Sequence, residues 1–589
     1  MNRKLILLNY IIAFILLVAG VITNSSNSHN GYSLFILDDI KPLFIMRLFA
    51  FFLVFITFLI SLHIKDLEYF SSRLYIFMLL VILLTISITS LYSWKISGYY
   101  YSIGLDLFNY IGTARDIIGT SHISVHEYYP NFYPAQDLLI ATLSIVINED
   151  ISSLFFMVPS ILYFIIIVLV LYLVSKQLIL LMEKSASLFL KEVKVPLVLV
   201  TATAGMTNFL DGFIFPYKQT YSIILFGIFL FMFLKFLSEK HTKSYFSLFP
   251  IILIFPFAHP ITSLLLLAFL VGTYLTITDF RDRLKILLLT YSFVLMLWLI
   301  YYSFSGLLGT NFKSYVFTFE KETTATQLSK MFSESLGMGV ELWKIFLYTM
   351  LLTHPAISYY IVWLTVSILL IKRKSFSKIL SKLTFILLFM VTVYALLSFL
   401  FYVHNPIRIV IDNPFMFLVV PLTISGIFSA LYTKKSKQLN LTIKLLLLLN
   451  LMLILTTSVL SPWIEKEISI LPSNAITFQE NAGVIFFYQY VEQIPMKICT
   501  LGTLQSQISA FISKDLGMLY KPAEFRTKYI ENITSESYVF LPRKEVIAYK
   551  ELYSFDYFTN AVKEIYTYQD IIYQNKELTL FKYKPTKTD

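Results

Sequence analysis

Apolar runs recur along the chain as far as Leu460, separated by short turns in which Lys and Arg gather. A helix needs about 20 apolar residues to cross the hydrocarbon core, and many windows meet that length. The expected spans lie near 5–22, 42–62, 74–94, 152–181, 195–211, 219–237, 246–258, 261–278, 284–304, 345–371, 383–403, 414–432 and 443–461, roughly thirteen in all by that criterion. The basic turns fall at Arg3-Lys4, Lys65–Arg73, Lys184–Lys194, Lys240–Lys243, Arg281–Lys285, Lys372–Lys382 and Lys434–Lys444. Lys and Arg accumulate in cytoplasmic loops, so all seven are placed inside. That makes the N-terminus cytoplasmic. It leaves 95–135, the turn near 212–218, His259-Pro260, 305–344, 404–413 and everything after 461 outside.

Two segments test this count. The basic, apolar start "MNRKLILLNYIIAFILLVAG" has the look of a signal peptide, but no small-x-small cleavage site follows it, so it reads as a retained first span. "QDLLIATLSIVIN", 136–148, reads as an interfacial segment. A further crossing there would carry the basic turns at 184–194 and 240–243 to the wrong side.

Beyond 461 the pattern changes, with 14 Lys/Arg against 15 Asp/Glu and apolar runs too short to span. "MKICTLG" and "SYVFLP" predict buried strands and "ELTLFKYK" an alternating one, while "FQENAGVIFFYQYVEQI" predicts an amphipathic helix. The expected organisation is a membrane domain over 1–461 and a small external α/β domain over 462–589. The fold class is thus a polytopic α-helical membrane protein at the cell membrane, with its C-terminal domain extracellular.

Composition agrees. Of 589 residues 57% are hydrophobic and 14% charged, with mean hydropathy +0.72, too little charge to cover a soluble surface of this size. The net charge of +11 sits in the short turns, which makes it a topological signal and excludes a nucleic-acid partner. A single cysteine, Cys499, leaves neither an internal disulfide nor a thiolate metal cluster.

Candidate chemistry gathers on the outer side. In "GLDLFNYIGTARDIIGTSHISVHEYYPNFYPAQD", 104–137, a helix from Asp106 sorts Leu107, Ile111, Ala114 and Ile118 onto one stripe. Asp106, Asn109, Thr113 and Asp116 form another. Lying along the membrane surface, such a helix buries the first stripe and shows the second to water. A half-desolvated Asp106 is a better base toward an alcohol; the plainer reading is a helix cap. Tyr128, Tyr129 and Tyr133 suit interfacial anchoring and also sugar docking. His122 and His126 are four apart, a metal pair only on a helix, whereas "SHISVHEY" reads as extended. Further on, Asp211, Tyr217, Lys218 and Gln219 cluster at a helix start, where Lys218 either snorkels or meets a phosphate. His259 stands between two apolar halves, as a site residue or a hydrogen-bonded structural one. In "VHNPIRIVIDNPF" Arg408 runs against the positive-inside bias. It either pairs with Asp412 or clamps a phosphate in bidentate fashion.

These stretches together resemble the GT-C superfamily of membrane glycosyltransferases that use polyprenyl-phosphate-linked sugars. The likeness is nearest to large archaeal members with an external C-terminal domain. It rests on "GLDLFNYIGTARDIIGTSHI…YYPNFYPAQDLLIATLSIV", supported by "PYKQT", "AHPITS", "NPIRIVIDNPFMFLVVPLTISGI" and "YVFLP…DIIYQNKELTLFKYKP".

The resemblance implies a GT-C-like fold and transfer of a hexosyl or pentosyl unit from a polyprenyl (dolichyl) phosphate donor, with inversion. The acceptor hydroxyl belongs to a glycan, lipid or protein of the cell envelope. Asp106 matches the acid that activates the acceptor, and Arg408 an external arginine facing the leaving phosphate. Lys218 and His259 have similar duties, and Asp116, Tyr129, Tyr133 and Gln219 would bind substrate. No cofactor is required outright, although a divalent cation (Mg or Mn) could sit at Asp106, His122 and His126. The Trp-Trp-Asp motif of oligosaccharyltransferase subunits is absent from the tail, which argues against en bloc transfer to asparagine. The family's acid often follows the first span, whereas two spans precede it here. The rival class is a polytopic transporter or flippase of lipid-linked sugars, which would need charges along a path through the bilayer.

Overall fold

The computed structural model describes residues 3–26, 99–101, 105–123, 134–149, 218–239, 242–304, 476–490, 497–501, 520–523, 537–543, 569–576 and 578–584, with single positions in 42–53, 151–178, 382–390 and 563–567. What is described is mostly helical, with a small sheet near the C-terminus. Helix α1 is Arg3–Ser26. Strand β1, Tyr99–Tyr101, leads after three residues into α2, Leu105–Thr120, and α3 is Ala135–Ile147. Then come α4, Lys218–Glu239; α5, Thr242–Phe246; α6, Leu248–Ile254, ending in a 3-10 turn at Phe255–Phe257; α7, Pro260–Thr276; and α8, Arg281–Phe304.

Helices α4 to α8 run up and down against one another. Tyr245 packs on Phe236 with centroids 5.6 Å apart, so α5 doubles back along the end of α4. Ser263 Oγ reaches the Phe255 carbonyl at 2.9 Å, closing the reversal into α7. Two tyrosine hydroxyls then pin α8: Tyr245 donates to the Arg283 carbonyl (3.1 Å) and Tyr291 to the Ser263 carbonyl (2.8 Å). Phe269 fills the centre, edge-on to Phe226, Phe229 and Phe233.

Among the described residues, α4 and α8 are long and apolar enough to cross a membrane. On α8 both faces are apolar. Leu284, Leu287, Tyr291, Leu295 and Trp298 face inward, while Ile286, Leu289, Phe293, Met296 and Ile300 face outward. A helix bordered by water would carry polar residues on the second stripe, so this one suits lipid. The run expected as a span at 246–258 is instead two short helices and a 3-10 turn. Lys243–Phe257 extends only about 22 Å at 1.5 Å per residue, and Pro256 sits in the closing turn.

The tail forms a five-stranded mixed sheet in the order β4-β3-β5-β7-β6. Its strands are β3, Lys497–Leu501; β4, Tyr520–Ala523; β5, Ser537–Pro542; β6, Asp570–Gln574; and β7, Leu578–Tyr583. β3 runs parallel to β4 and β5, and β5-β7-β6 is antiparallel. Helix α9, Phe478–Tyr490, lies on one face. There Val484 and Phe487 meet Tyr538, Phe540, Leu578 and Leu580. The alternating reading of β7 needs correction: Thr579 and Phe581, on the other face, are buried as well.

A second, two-stranded sheet joins distant parts of the chain. β2, Ile476–Thr477, pairs antiparallel with β1, setting Tyr99 opposite Thr477 and Tyr101 opposite Ile476. This pairing requires both segments on one side of a membrane, hence an even number of crossings between them.

Candidate functional site

The chain leaves β1 and enters α2 almost at once, so Asp106 stands at the second helical position. It is therefore inside the first turn and not the cap residue that the plainer reading expected. A first turn favours negative charge through the helix dipole. Ile111 and Ala114 are buried as the stripe requires, whereas Thr113, expected to face water, is buried too. Asp116, in the last turn, is half-buried. Its carbonyl accepts the Thr120 hydroxyl at 2.6 Å, and Ser121 closes the helix in the left-handed region at φ 57°. His122 follows, exposed, outside the helix that a His122/His126 metal pair would need.

Helix α3 packs along α2 and buries polar side chains beside Ile140 and Ala141. Gln136 and Asp137 are 0% exposed, and Ser144 is buried, while Ile145, Val146 and Ile147 point outward. Ionisable and polar groups held inside while apolar side chains are shown outward suit a helix against lipid. Asp137 is the residue that sequence reading passed over, folded into an apolar segment read as merely interfacial. The available signal was an ionisable group in the first turn of an otherwise apolar helix, which is a site candidate by default.

Lys218 and Gln219 open α4, and His259 immediately precedes α7 with extended backbone (φ −165°, ψ 138°) and Pro260 at the first position. The two helix starts lie at one level. Phe229, eleven residues into α4, and Phe269, ten beyond His259, meet with centroids 5.8 Å apart. The opposite end of this group is basic: it carries Lys235 and Lys243 on α4 and α5 and Arg281, Arg283 and Lys285 at the start of α8, with Arg283 5.9 Å from the Phe236 and Tyr245 rings and Arg281 over the Tyr274 ring at 5.1 Å. The His259 carbonyl accepts Ser263 N (3.1 Å) and is within reach of the Thr262 and Ser263 hydroxyls. Its backbone thus holds the break between the 3-10 turn and α7, whatever its ring does.

The structure accordingly sets the acids on α2 and α3, and Lys218 with His259 on α4 and α7. Arg408, Tyr129, Tyr133 and His126 lie outside the described residues. Among the described residues no three His, Cys, Asp or Glu side chains form a metal-binding group.

No family model matches the chain, and no curated protein does either. Solved structures do show likeness. The oligosaccharyltransferase of Archaeoglobus fulgidus in its apo form gives TM-score 0.48 at 11% identity, over 80% of this chain and 70% of that one. The archaeal oligosaccharyltransferase AglB from Archaeoglobus fulgidus, in complex with an inhibitory peptide and a dolichol-phosphate, gives TM-score 0.46 at 12% identity, over 87% of this chain and 74% of that one. ArnT from Cupriavidus metallidurans, bound to undecaprenyl phosphate, gives 0.42 at 9%, over 88% and 100%. AglB and ArnT are GT-C superfamily members.

Proposed function

We propose that this chain is an integral membrane glycosyltransferase of the GT-C kind. It moves a sugar from a polyprenyl-phosphate-linked donor to an acceptor hydroxyl on the outer face, with inversion. The observation that carries the reading is the setting of Asp106. It occupies the first turn of a loop helix joined to the tail by β1 and β2, and that helix packs on α3, which keeps a second carboxylate inside.

In the reaction, the acceptor oxygen attacks the anomeric carbon and Asp106 takes its proton. The bond from that carbon to the lipid phosphate breaks, and the phosphate leaves with the electron pair from the opposite face. Lys218 and the N–H groups opening α4 both favour an anion, and His259 stands at the same level. Arg408 offers the fork that matches two phosphate oxygens. Asp116, Gln219, Tyr129 and Tyr133 would hold the sugar.

The test is sugar transfer in membranes supplied with a mixed polyprenyl-phosphate-sugar pool. Asp106→Asn, inserted at the normal level, should lose about 10²–10⁴-fold in rate, the range for a positioned general base. Equal transfer by wild type and variant would remove Asp106 as the base. Absence of transfer by wild type from every donor would sink the reading and favour a transporter or flippase.

A further inference from the structure

Strands β1 and β2 are three and two residues long. A two-stranded ladder is marginal in water on its own, so this one needs support from what adjoins it. The support is on both sides. β2 ends at Thr477 and α9 begins at Phe478 with no residue between, and α9 packs against both strands. Glu480 stands in the first turn of α9, three residues after Thr477, where an acid suits the helix dipole. Glu480 is 0% exposed at that point. Thr477 therefore serves both as a strand position opposite Tyr99 and as the residue from which α9 starts.

The start of α9 is in turn fastened to the sheet. Asn575, in the turn between β6 and β7, donates from Nδ2 to the Gln479 carbonyl at 2.7 Å, and its Oδ1 accepts Leu578 N at 2.8 Å. One amide thus closes the hairpin and holds the first turn of α9. Further along, Val484 and Phe487 seat the helix on β5 and β7. On the other side of the ladder only residues 102–104 separate β1 from α2.

We propose that β1–β2 is a rigid joint through which the tail sets the position of α2. Thr477, Glu480 and Asn575 are its positioning residues. Resting on the proposed function, the joint makes the tail part of the transfer machinery, because it aims the helix that carries Asp106.

The experiment has a readout that does not depend on activity. In full-length Cys499→Ser protein, Tyr99→Cys with Thr477→Cys places two thiols directly opposite across an antiparallel pair, within disulfide reach. The expected result is an oxidant-dependent intramolecular cross-link. Val539→Cys with Phe581→Cys, opposite each other in β5 and β7, serves as the control pair. Two glycines inserted between Thr477 and Phe478 should then speed amide exchange across Leu105–Thr120 by about tenfold or more, leaving Ser537–Pro542 unchanged. If transfer is present, the insertion should lower kcat by about 10–100-fold with donor KM little altered, as misplacement of a catalytic group does.

A control pair that cross-links while Tyr99→Cys/Thr477→Cys does not would overturn the joint. So would unchanged exchange in α2 after the insertion. A wild type without transfer would remove the glycosyltransferase reading and leave the cross-link and exchange results standing.

Discussion

The helical group α4–α8 and the tail sheet use the same interior and opposite exteriors. Phe269 meets Phe233 edge-on at 5.2 Å in one, and Phe487 meets Phe540 at 5.0 Å and 75° in the other. Outside, α8 shows Leu289, Phe293 and Met296, whereas the tail's β6–β7 hairpin shows Asp570, Gln574, Lys576 and Lys584. The difference shows that packing geometry does not reveal the surrounding solvent; the outer stripe does. It also separates the energetics. Burial in the tail removes apolar surface from water at about 25 cal/mol per Å², but in a bilayer lipid tails are as apolar as the core, and association rests on packing.

The largest expected effect tests that separation. Phe540→Ala should destabilise the tail by about 3–5 kcal/mol, the cost of truncating a buried phenylalanine in a water-driven core. Phe269→Ala leaves a comparable void but loses mainly packing contacts, so it should cost less. Protease resistance of the tail and thermal unfolding of the membrane part in bilayers would measure the two. A loss at Phe269 equal to or above that at Phe540 would break the comparison.

Next in size is the exterior. Phe293→Lys, midway along α8 and 56% exposed, should cost about 2.5–3.5 kcal/mol in membrane insertion. Ile571→Lys, 41% exposed on β6, should stay within about 0.5 kcal/mol in tail stability. Insertion assays and tail unfolding read these separately. A tolerated lysine at Phe293 would mean that this stripe does not face lipid.

The same contrast explains what sequence could and could not show. Where solvent imposes a local pattern, the reading was close: "SYVFLP" is β5 to the residue, α9 begins at Phe478 as expected, and α4 covers 218–239 against an expected 219–237. β1 and β2 are too short to carry a pattern, and their partners are some 375 residues apart in Tyr101 and Ile476, so no local signal could pair them. β7 alternates like a half-exposed strand, yet both its faces are covered. On the site side, the motif led to α2, but Asp137 was hidden by its apolar neighbours. Thr113, assigned to water from its stripe, is buried.

The smallest effect compares two glycines in the two settings. A methyl group added at Gly483 on α9 would run into the Leu578 side chain and approach Tyr573 Cε1 to 3.1 Å. Here glycine is needed so that helix and sheet can approach closely. Gly483→Ala should cost about 1–3 kcal/mol in tail stability, as overpacking does. If the joint acts as proposed, the variant should also speed exchange in α2. Gly119, in the last turn of α2, has nothing within 4 Å of an added methyl. Gly119→Ala should therefore be neutral or stabilise by about 0.4–1 kcal/mol through the unfolded chain. Denaturation of both variants, with amide exchange over Leu105–Thr120, separates the effects. An α2 loosened by Gly119→Ala and untouched by Gly483→Ala would place control of that helix within itself, and the tail would lose its part in aiming Asp106.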